Sequence, residues 1–441
     1  MLRVGGISRW GRCSTVSPRR LPLQRSFLQP AREIHATDSR IILGIETSCD
    51  DSCAAVVAGP SSLPQSHNVA PSDQYKILSQ SIAHQDHSAT GGIHPYTAVL
   101  SHAANLPNTI AQALADAGIG PDGAGLDAIA VTQGPGMASS LSVGLTAAKT
   151  LAAAWRKEII YVHHMAAHAL TPLLTEKEPP TFPFLTLLVS GGHTMLVLAT
   201  SPTHYKLLAS TTDDSIGDAF DKVARVLRIE WGGQSGFTNP GAALEHFAAQ
   251  ADSSKSEHDI PVFPVPGPGT MTFSYSGIKS SVLRYIERNI SSEVLSSQRP
   301  GDVAHRRAVA RAFQQAAIRQ IEDRVALAFG LRQRSKADGD RPMGMEGLSI
   351  HDLVCSGGVA SNSYLRHRLS SLLTAKDKAS HQRQTGREVT STVRTHFPPL
   401  SLCTDNAVMI AFAGHLMWEQ RTREFDRHAR PRWSLEDILS P

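Results

Sequence analysis

The chain has 441 residues, of which 41% are hydrophobic, so it is long enough and apolar enough to bury the cores of two domains. No run of about 18 uncharged apolar residues occurs, so we expect no transmembrane helix. The five cysteines are odd in number and include no CxxC pair, which argues against both a disulfide framework and a zinc site built from thiolates.

The net charge of +4 reflects the N-terminal segment, because residues 1–32 contain seven arginines and no acidic residue. Subtracting seven from +4 leaves −3 for the rest of the chain. An Arg-rich, acid-free segment with scattered Ser, Leu and Phe is typical of a mitochondrial transit peptide, which we assign to residues 1–36. The alternative is a disordered basic arm that binds nucleic acid. The apolar residues of the segment favour the presequence and therefore the mitochondrial matrix.

The folded part is predicted to begin with a strand, a polar turn and a second strand. Residues 41–45 and 54–58 are apolar, and residues 46–52 between them are acidic and rich in hydroxyl groups. Further along, the turn Gly134-Pro135-Gly136 precedes an Ala- and Leu-rich segment, 137–155. This composition predicts a helix.

The second half of the chain repeats the opening pattern. Residues 184–189 and 195–199 are apolar and flank a glycine-containing turn, and residues 353–355 precede a similar turn. In the segment 303–329 an apolar residue recurs at every fourth position, which predicts a helix with one apolar stripe. Strands that alternate with helices predict an α/β architecture. Two halves that open in the same way suggest an internal duplication.

Two glycine turns, Ser190-Gly191-Gly192 and Ser356-Gly357-Gly358, follow predicted strands. Glycine has no Cβ, so backbone N–H groups in such turns can approach an anion closely. Tight turns also use glycine for steric reasons alone, so one turn would be weak evidence. The two together, with Gly134-Pro135-Gly136 and the acidic turn at 46–52, predict a nucleotide ligand.

A metal site is predicted at His164 and His168, which are four residues apart and would share one face of a helix. The alternative is an ordinary helix surface. Asp405, which follows an apolar run ending at Leu402 at a predicted strand-to-helix junction, offers a carboxylate, although spacing alone does not select it over other acids. Two imidazoles and one carboxylate would leave coordination positions open for a substrate.

Eight motifs in order resemble one family, the tRNA N6-adenosine threonylcarbamoyltransferases (the TsaD family, once labelled O-sialoglycoprotein endopeptidases). The similarity covers about residues 41–420, and the N-terminal segment indicates the mitochondrial branch. The motifs are Gly44-Ile45-Glu46-Thr47-Ser48-Cys49-Asp50-Asp51, Gly134-Pro135-Gly136, His164-x-x-x-His168, Ser190-Gly191-Gly192-His193-Thr194, Gly217-Asp218-Ala219-Phe220-Asp221-Lys222, Phe273-Ser274-Tyr275-Ser276-Gly277-Ile278-Lys279, Ser356-Gly357-Gly358-Val359-Ala360-Ser361-Asn362 and Cys403-Thr404-Asp405-Asn406.

The resemblance implies an actin-like, Hsp70-like ATPase fold, in which two duplicated α/β domains enclose the active site in the cleft between them. The first domain would span 40–181 and the second 182–400, and 401–441 would carry the metal-ligand Asp and a C-terminal helix that packs back on the first domain. The implied reaction transfers threonylcarbamoyl from threonylcarbamoyl-AMP to N6 of adenosine 37 in tRNAs that read ANN codons, and it releases AMP.

The resemblance also implies roles for individual residues. One divalent metal ion, zinc or iron, would be held by His164, His168 and Asp405. The implied substrate-binding residues are a loop, ribose-side groups and adenine-side groups: Val189, Ser190, Gly191, Gly192, His193, Asp221, Gly233, Glu245, Ser361 and Asn362. No general base is identified, although His193 is a candidate. The implied partners are tRNA, a separate synthase that supplies threonylcarbamoyl-AMP, and a second copy of the chain in a homodimer.

Two groups of arginines are candidates for contacts with tRNA phosphates, and solvated helix faces are the alternative for each. The groups are Arg421, Arg423, Arg427, Arg430 and Arg432 near the C-terminus, and Arg306, Arg307 and Arg311 within the predicted helix.

Other functions fit the residues less well. A metalloprotease of the HExxH type needs a carboxylate base beside its metal histidines, and this chain has Ala166 where the family commonly has Glu. A sugar kinase or ATPase of the same fold would account for the glycine turns but not for the metal triad. A non-catalytic scaffold that recruits a tRNA-modifying assembly would not need intact metal ligands.

Overall fold

The computed structural model describes residues 39–62, 72–87, 92–232, 235–237, 239–250, 262–331, 345, 347–381 and 393–440. The predicted transit peptide, residues 1–36, lies outside the described residues. Among the helices of the described part, none combines the length and the apolar character that crossing a bilayer requires.

The first half of the chain forms a five-stranded mixed sheet with the order β3-β2-β1-β4-β5. β1 pairs with β2 as an antiparallel hairpin and with β4 in parallel. The predicted opening hairpin is confirmed, because the two apolar runs lie inside β1 and β2 and the polar turn joins them. The strands are β1 Ser39–Glu46, β2 Ser52–Pro60, β3 Lys76–Ala83, β4 Ala128–Gly134 and β5 Glu158–His163.

The second half forms another five-stranded sheet, with the order β8-β7-β6-β9-β10. Position for position this is the order of the first sheet, and the pairing is again antiparallel for β6 with β7 and parallel for β6 with β9. The predicted duplicated α/β fold of the actin-like type is therefore confirmed, while the domain limits at 181 and 400 stay predictions. The strands are β6 Phe184–Val189, β7 Thr194–Ser201, β8 His204–Ser210, β9 Asp352–Ser356 and β10 Arg394–His396.

Helices cover the faces of both sheets. The helices predicted at 137–155 and 303–329 are confirmed as α2 and α8, and the apolar stripe of α8 is buried. The helices are α1 Pro95–Asp116, α2 Ala138–Trp155, α3 His164–Thr175, α4 Ile216–Val226, α5 Pro240–Ala249, α6 Ser276–Asn289, α7 Ser292–Ser296, α8 Pro300–Ala328, α9 Ser363–His381, α10 Leu400–Cys403 and α11 Ala407–Leu416.

Helices α3 and α11 lie between the two sheets. Almost every residue of each helix is buried. Helix α3 contacts β5 of the first sheet and β6 and β9 of the second, while α11 packs against β1, β2 and α3. A helix that is apolar on all sides needs partners on all sides. The start of α3 is therefore placed at the junction of the two halves.

The approach of α11 to β1 is close. A Cβ at Gly44 would lie 2.7 Å from the backbone nitrogen of Ala411, so a side chain here would push the helix off the sheet. Asn406 caps α11, since its Oδ1 accepts a hydrogen bond from the Met409 amide at 2.9 Å. Asp405, the residue before this cap, is thereby held beside the end of β1.

The predicted strand-to-helix junction at Asp405 is wrong. β10 ends at His396, and Asp405 lies between two helices, α10 and α11. Proline has no N–H to donate to a strand ladder, and Pro399 instead sits at the N-cap of α10. The apolar run that ends at Leu402 therefore forms a helical turn.

Asp352, at the start of β9, joins three segments of the second half. Its carboxylate accepts hydrogen bonds from His396 at 2.8 Å, from Arg394 at 2.8 Å and from the Thr181 amide at 3.0 Å. Burial alone would raise the pKa of Asp352, but these hydrogen bonds outweigh burial and lower the pKa below its usual range.

Asp352→Asn is expected to lower the free energy of unfolding by about 2–3 kcal/mol at pH 7, because it removes a buried charge that accepts hydrogen bonds from charged groups. A carboxylate with a lowered folded-state pKa stabilises above its unfolded pKa of about 4 and loses that effect as the pH falls. The difference in the free energy of unfolding between wild type and variant should therefore become smaller below about pH 4. Urea denaturation at several pH values measures this, with the exposed Asp116→Asn as control; a pH-independent gap would contradict the assignment.

Candidate metal centre and substrate cleft

Three side chains converge at the start of α3. The Nε2 atoms of His164 and His168 lie 3.5 Å and 3.2 Å from Oδ1 of Asp405. One donor atom from each of the three residues can be chosen so that all lie within 4.8 Å of one another. The structure therefore brings together the three predicted metal ligands, although they come from two distant parts of the chain.

The local sequence fixes the orientation of the two histidines. β5 runs directly into α3, and the side chain of His163 accepts hydrogen bonds from the amides of Met165 and Ala166 at the first turn. Since residues four apart share a helix face, His164 and His168 both point toward the loop that carries Asp405. Their rings meet edge to face with centroids 4.7 Å apart.

Glu46, at the end of β1, holds the other side of His164. Its Oε2 lies 3.0 Å from His164 Nδ1 and accepts a hydrogen bond from Thr132 Oγ1 at 2.5 Å, and Oε1 accepts from the Ser48 amide. The Oγ of Ser48 lies 3.2 Å from the same Nδ1. A carboxylate behind an imidazole fixes its tautomer and directs the opposite nitrogen toward a metal, which here is Nε2.

The charges in this pocket favour a cation. Burial alone would lower the pKa of His164, but Asp405 and Glu46 outweigh burial and raise that pKa to about 10. Burial lowers the pKa of His168, whose imidazole is neutral. If both imidazoles are neutral, Glu46 and Asp405 leave two negative charges that a divalent ion would balance. The donor set and the charge therefore fit one divalent metal.

The pocket opens to one side, where 26% of the Asp405 side chain is exposed. His193 is also close to the candidate ligands: burial and then the positive charge of nearby His164 together lower the pKa of His193 to about 4. His193 is therefore a neutral hydrogen-bonding group next to the candidate ligands.

His193 ends the glycine turn that follows β6. Ser190 Oγ accepts hydrogen bonds from the amides of Gly192 and His193 at 3.3 Å and 3.1 Å. A Cβ built on Gly191 or Gly192 would meet no atom within 4 Å, so neither glycine is required by neighbouring protein atoms. Val189, the last residue of β6, is fully buried below the turn.

Helix α4 connects this turn to Asp221. Gly217 packs directly on the turn, since a Cβ there would lie 2.8 Å from the Cα of Gly191. Asp221 follows one helical turn later and accepts a hydrogen bond from the Gly241 amide at 2.8 Å. Burial raises the pKa of Asp221 to about 6. The carboxylate is thus partly desolvated at the start of α5.

Helix α5 in turn reaches the glycine turn after β9. Glu245, one helical turn beyond Gly241, accepts hydrogen bonds from the amide and hydroxyl of Ser363 at 2.6 Å and 2.7 Å. Ser363 follows Asn362, whose Oδ1 accepts from the Leu365 amide at 2.9 Å and caps α9. Ser361 donates to the Gly358 carbonyl at 2.6 Å.

The predicted substrate residues therefore form one connected set around the ends of β6 and β9. Gly357 brings the turn after β9 against the end of β6, because a Cβ there would lie 2.9 Å from the carbonyl carbon of Val189. The predicted residue Gly233 lies outside the described residues.

Sequence reasoning missed Glu46, Thr132 and His163 as parts of the metal pocket. Glu46 could have been predicted from the sequence. It directly follows an apolar strand, and ligands of α/β proteins bind at the carboxyl ends of the strands. Thr132, one of two polar residues near the end of an apolar strand, carried a weaker signal. His102 of α1 is buried nearby, and its ring nitrogens hydrogen-bond Ser52 Oγ at 2.7 Å and the Cys49 carbonyl at 3.0 Å, which indicates a structural role.

The candidate tRNA contact at Arg306, Arg307 and Arg311 is wrong. Arg306 and Arg307 are buried, and Arg306 donates to the Leu227 and Leu295 carbonyls at 3.2 Å and 2.9 Å. Arg307 and Arg311 donate to the Phe247 and Ala248 carbonyls. These are among the last carbonyls of α5, which lack partners within their own helix. The three arginines hold helices together.

The C-terminal group of arginines is divided. Arg421 contacts Glu158 at 3.0 Å, and Arg430 donates to the Ser440 carbonyl at 2.7 Å. Arg423, Arg427 and Arg432 are exposed. Three of the five arginines predicted to contact tRNA are therefore exposed to solvent.

The chain is similar in sequence to proteins of one family. A family model described as TsaD, tRNA N6-adenosine threonylcarbamoyltransferase, matches residues 76–412. A tRNA N6-adenosine threonylcarbamoyltransferase of Erythrobacter litoralis is 37% identical over 408 residues, which cover 91% of this chain and 97% of that protein. A probable mitochondrial tRNA N6-adenosine threonylcarbamoyltransferase of Arabidopsis thaliana is 35% identical, with coverage of 86% and 69%.

Among solved structures, HypF of T. kodakarensis superimposes with a TM-score of 0.48 at 15% identity, covering 87% of this chain and 48% of that one. The ROK hexokinase of Thermus thermophilus superimposes with a TM-score of 0.37 at 12% identity, covering 86% and 99%.

Proposed function

Because this chain belongs to the TsaD family of tRNA N6-adenosine threonylcarbamoyltransferases, we propose that it transfers the threonylcarbamoyl group of threonylcarbamoyl-AMP to N6 of adenosine 37. The substrates are mitochondrial tRNAs that read ANN codons, and AMP is released. Threonylcarbamoyl-AMP comes from a separate synthase, and the enzyme works as a homodimer in the mitochondrial matrix. The Arg-rich N-terminal segment and the mitochondrial naming of the Arabidopsis relative support this location.

The observation that carries the proposal is the cluster of His164, His168 and Asp405 at the junction of the two halves. We assign these residues to one divalent ion, zinc or iron, because two imidazoles and a carboxylate suit both metals. When bound, the ion supplies Lewis-acid polarisation of a substrate oxygen and a fixed point for orientation. His193, the last residue of the glycine turn, is close enough for the charges of His164 and Asp405 to affect its pKa.

The remaining groups bind and orient the acyl donor. The turn that contains Val189, Ser190, Gly191 and Gly192 is assigned to the phosphate and carbamoyl oxygens, because amides in such turns stabilise negative charge. The Gly191 amide is the assigned donor, since the Ser190 and Gly192 amides donate to the His193 carbonyl and to Ser190 Oγ. Asp221 and Glu245, with Gly233 between them in the chain, are assigned to the ribose side. Ser361 and Asn362 are assigned to the adenine side.

The transfer reaction depends more on positioning of the substrates than on general-acid catalysis. The N6–carbon bond forms, and the bond between the carbamoyl carbon and the phosphate oxygen breaks. AMP leaves readily because the donor is a mixed anhydride, and the proton that N6 loses passes to the departing phosphate or to solvent. The aromatic amine is a weak nucleophile, so holding it close to the carbamoyl carbon lowers the barrier. His193, with a pKa of about 4, is a weak base. We assign it to hydrogen bonding with the substrate.

The test is a reaction of the purified protein with threonylcarbamoyl-AMP and unmodified mitochondrial tRNA, followed by mass spectrometry of the nucleosides. Threonylcarbamoyladenosine should form in tRNAs that read ANN codons and be absent from the same tRNAs carrying guanosine at position 37. A protein that binds metal and tRNA but yields no modified adenosine would reject the transferase assignment.

The exposed arginines of the C-terminal segment are expected to bind tRNA phosphates. Replacing Arg423, Arg427 and Arg432 with Gln should weaken tRNA binding and flatten the plot of log Kd against log salt by about two to three units, because each lost phosphate contact removes close to one released counterion. The control replaces three exposed arginines of the second half, Arg284, Arg288 and Arg319, with the same change in net charge. Equal salt slopes in wild type and the first variant would contradict the assignment.

A further inference from the structure

Residues 421–440, here called the C-terminal strap, run along the first half of the chain and include a short 3-10 helix, Leu435–Asp437. Thr422 pairs with Ile159 of the edge strand β5, and Tyr161 of the same strand donates to the Glu424 carbonyl at 2.9 Å. Further along, the Arg430 amide donates to the Gln133 carbonyl at 2.8 Å. The strap thus covers the β5 edge of the first sheet.

The path of the strap is tightly fixed where it crosses the turn after β4. The Gly136 amide donates to the Pro431 carbonyl at 3.2 Å, and a Cβ on Gly134 would lie 2.8 Å from the carbonyl carbon of Arg430. Glycine at position 134 is therefore required by the strap. This accounts for one glycine of the Gly134-Pro135-Gly136 motif without a nucleotide.

Beyond this crossing the strap reaches the second sheet. Glu436 Oε1 accepts a hydrogen bond from the Leu207 amide of β8 at 2.9 Å. Leu435 and Ile438 are buried in the core between the two sheets, together with residues of α3 and α11. The strap is therefore anchored to both halves of the molecule, on either side of the metal-bearing helix.

His163 is the point where the strap meets that helix. Its Nε2 lies 3.1 Å from the Trp433 carbonyl, and its ring lies 4.8 Å from the Trp433 ring. The carbonyl can only accept, so Nε2 carries the hydrogen, and Nδ1 is left as the acceptor for the Met165 and Ala166 amides. One neutral ring thus joins the strap to the first turn of α3, directly before His164.

We propose that His163 is a positioning residue for the metal centre and that, through it, the C-terminal strap sets the orientation of His164 and His168. The inference rests on the metal centre proposed above. An Asn or Ser could cap the helix equally well, but neither could also reach the strap carbonyl. The imidazole is the side chain that spans both partners.

The test measures Zn²⁺ affinity of the full chain by competition with a chromophoric chelator, together with the visible spectrum of the Co²⁺-substituted protein. His163→Ala should lower Zn²⁺ affinity by at least about tenfold and shift the Co²⁺ spectrum, because groups that orient metal ligands typically contribute ten- to a hundredfold. His163→Asn keeps an acceptor for the helix amides but loses the strap, so its affinity should fall by about three- to tenfold.

His415→Ala is the matched control. His415 is equally buried and its Nε2 also lies 3.1 Å from a backbone carbonyl, that of Val57, but it lies at the far end of α11. Its removal should lower thermal stability and leave Zn²⁺ affinity unchanged.

Three outcomes would overturn the inference. They are wild-type Zn²⁺ affinity in folded His163→Ala, an equal loss in His415→Ala, or, if the alanine variant does not fold, wild-type affinity in His163→Asn. A wild-type protein that binds no Zn²⁺ or Co²⁺ would instead reject the metal centre itself.

Discussion

Asp405→Ala is expected to yield a folded protein that contains no stoichiometric metal and transfers threonylcarbamoyl at least about a thousandfold more slowly than wild type, a loss of about 4 kcal/mol in transition-state stabilisation. Among the residues that the structure describes, Asp405 is the one carboxylate within 3.5 Å of the Nε2 atoms of both histidines. Its removal leaves two imidazole ligands, which hold a divalent ion weakly. His164→Ala should have the same effect on both quantities.

Metal content by mass spectrometry and single-turnover transfer by nucleoside analysis measure this loss separately. Thr404→Ala is the control, because Thr404 is the exposed neighbour of Asp405 and its side chain is not needed for the site. It should retain metal and activity. Transfer at the wild-type rate by Asp405→Ala, with or without metal, would rule out the assigned role.

Gly191→Ala is expected to keep the stability of the wild type and to lower kcat/KM for threonylcarbamoyl-AMP by about ten- to a hundredfold. A Cβ at Gly191 meets no protein atom within 4 Å, so the methyl group costs the fold nothing. It would project from the turn that is assigned to bind the substrate. A displacement of about 1 Å in a positioned substrate has effects of this size.

Thermal unfolding and steady-state kinetics on the same preparation test this pair of expectations. Gly301→Ala is the control, because a Cβ at Gly301 also meets no atom within 4 Å and the residue lies in the first turn of α8. It should change neither quantity. Wild-type kinetics in Gly191→Ala would mean that the turn does not contact the substrate closely.

The strands and the duplication could be predicted from the sequence because the signals are local. Each sheet opens with an apolar run, a short polar turn and a second apolar run, and this pattern is typical of a hairpin whichever protein contains it. The same pattern at residue 41 and again at residue 184 indicated two copies of one unit. The identical strand order of the two sheets confirms the duplication.

The metal triad could not be assembled from local signals. His168 and Asp405 are separated by 237 positions, and they meet because α11 packs on β1 with only a glycine between them. Nothing near Asp405 in the sequence encodes that packing. The family resemblance supplied the third ligand, and the local prediction for its surroundings, a strand-to-helix junction, was wrong because Pro399 starts a helical turn.

The arginines of α8 show a different limit. Arg306, Arg307 and Arg311 are typical of a basic surface when only the sequence is available. Their partners are backbone carbonyls of α5 and neighbouring segments, and no residue type identifies a carbonyl that lacks a partner. Such arginines can be recognised as structural only when the three-dimensional structure shows which helix end packs against them.

The most direct measurement is anomalous diffraction at the zinc and iron absorption edges, from crystals of the full chain purified without oxygen. The metal centre proposed here predicts one peak per chain, about 2.0–2.3 Å from Nε2 of His164, Nε2 of His168 and a carboxylate oxygen of Asp405. Its absorption edge would identify the metal. A peak bound by other residues, or no peak at this position in catalytically active protein, would contradict the account.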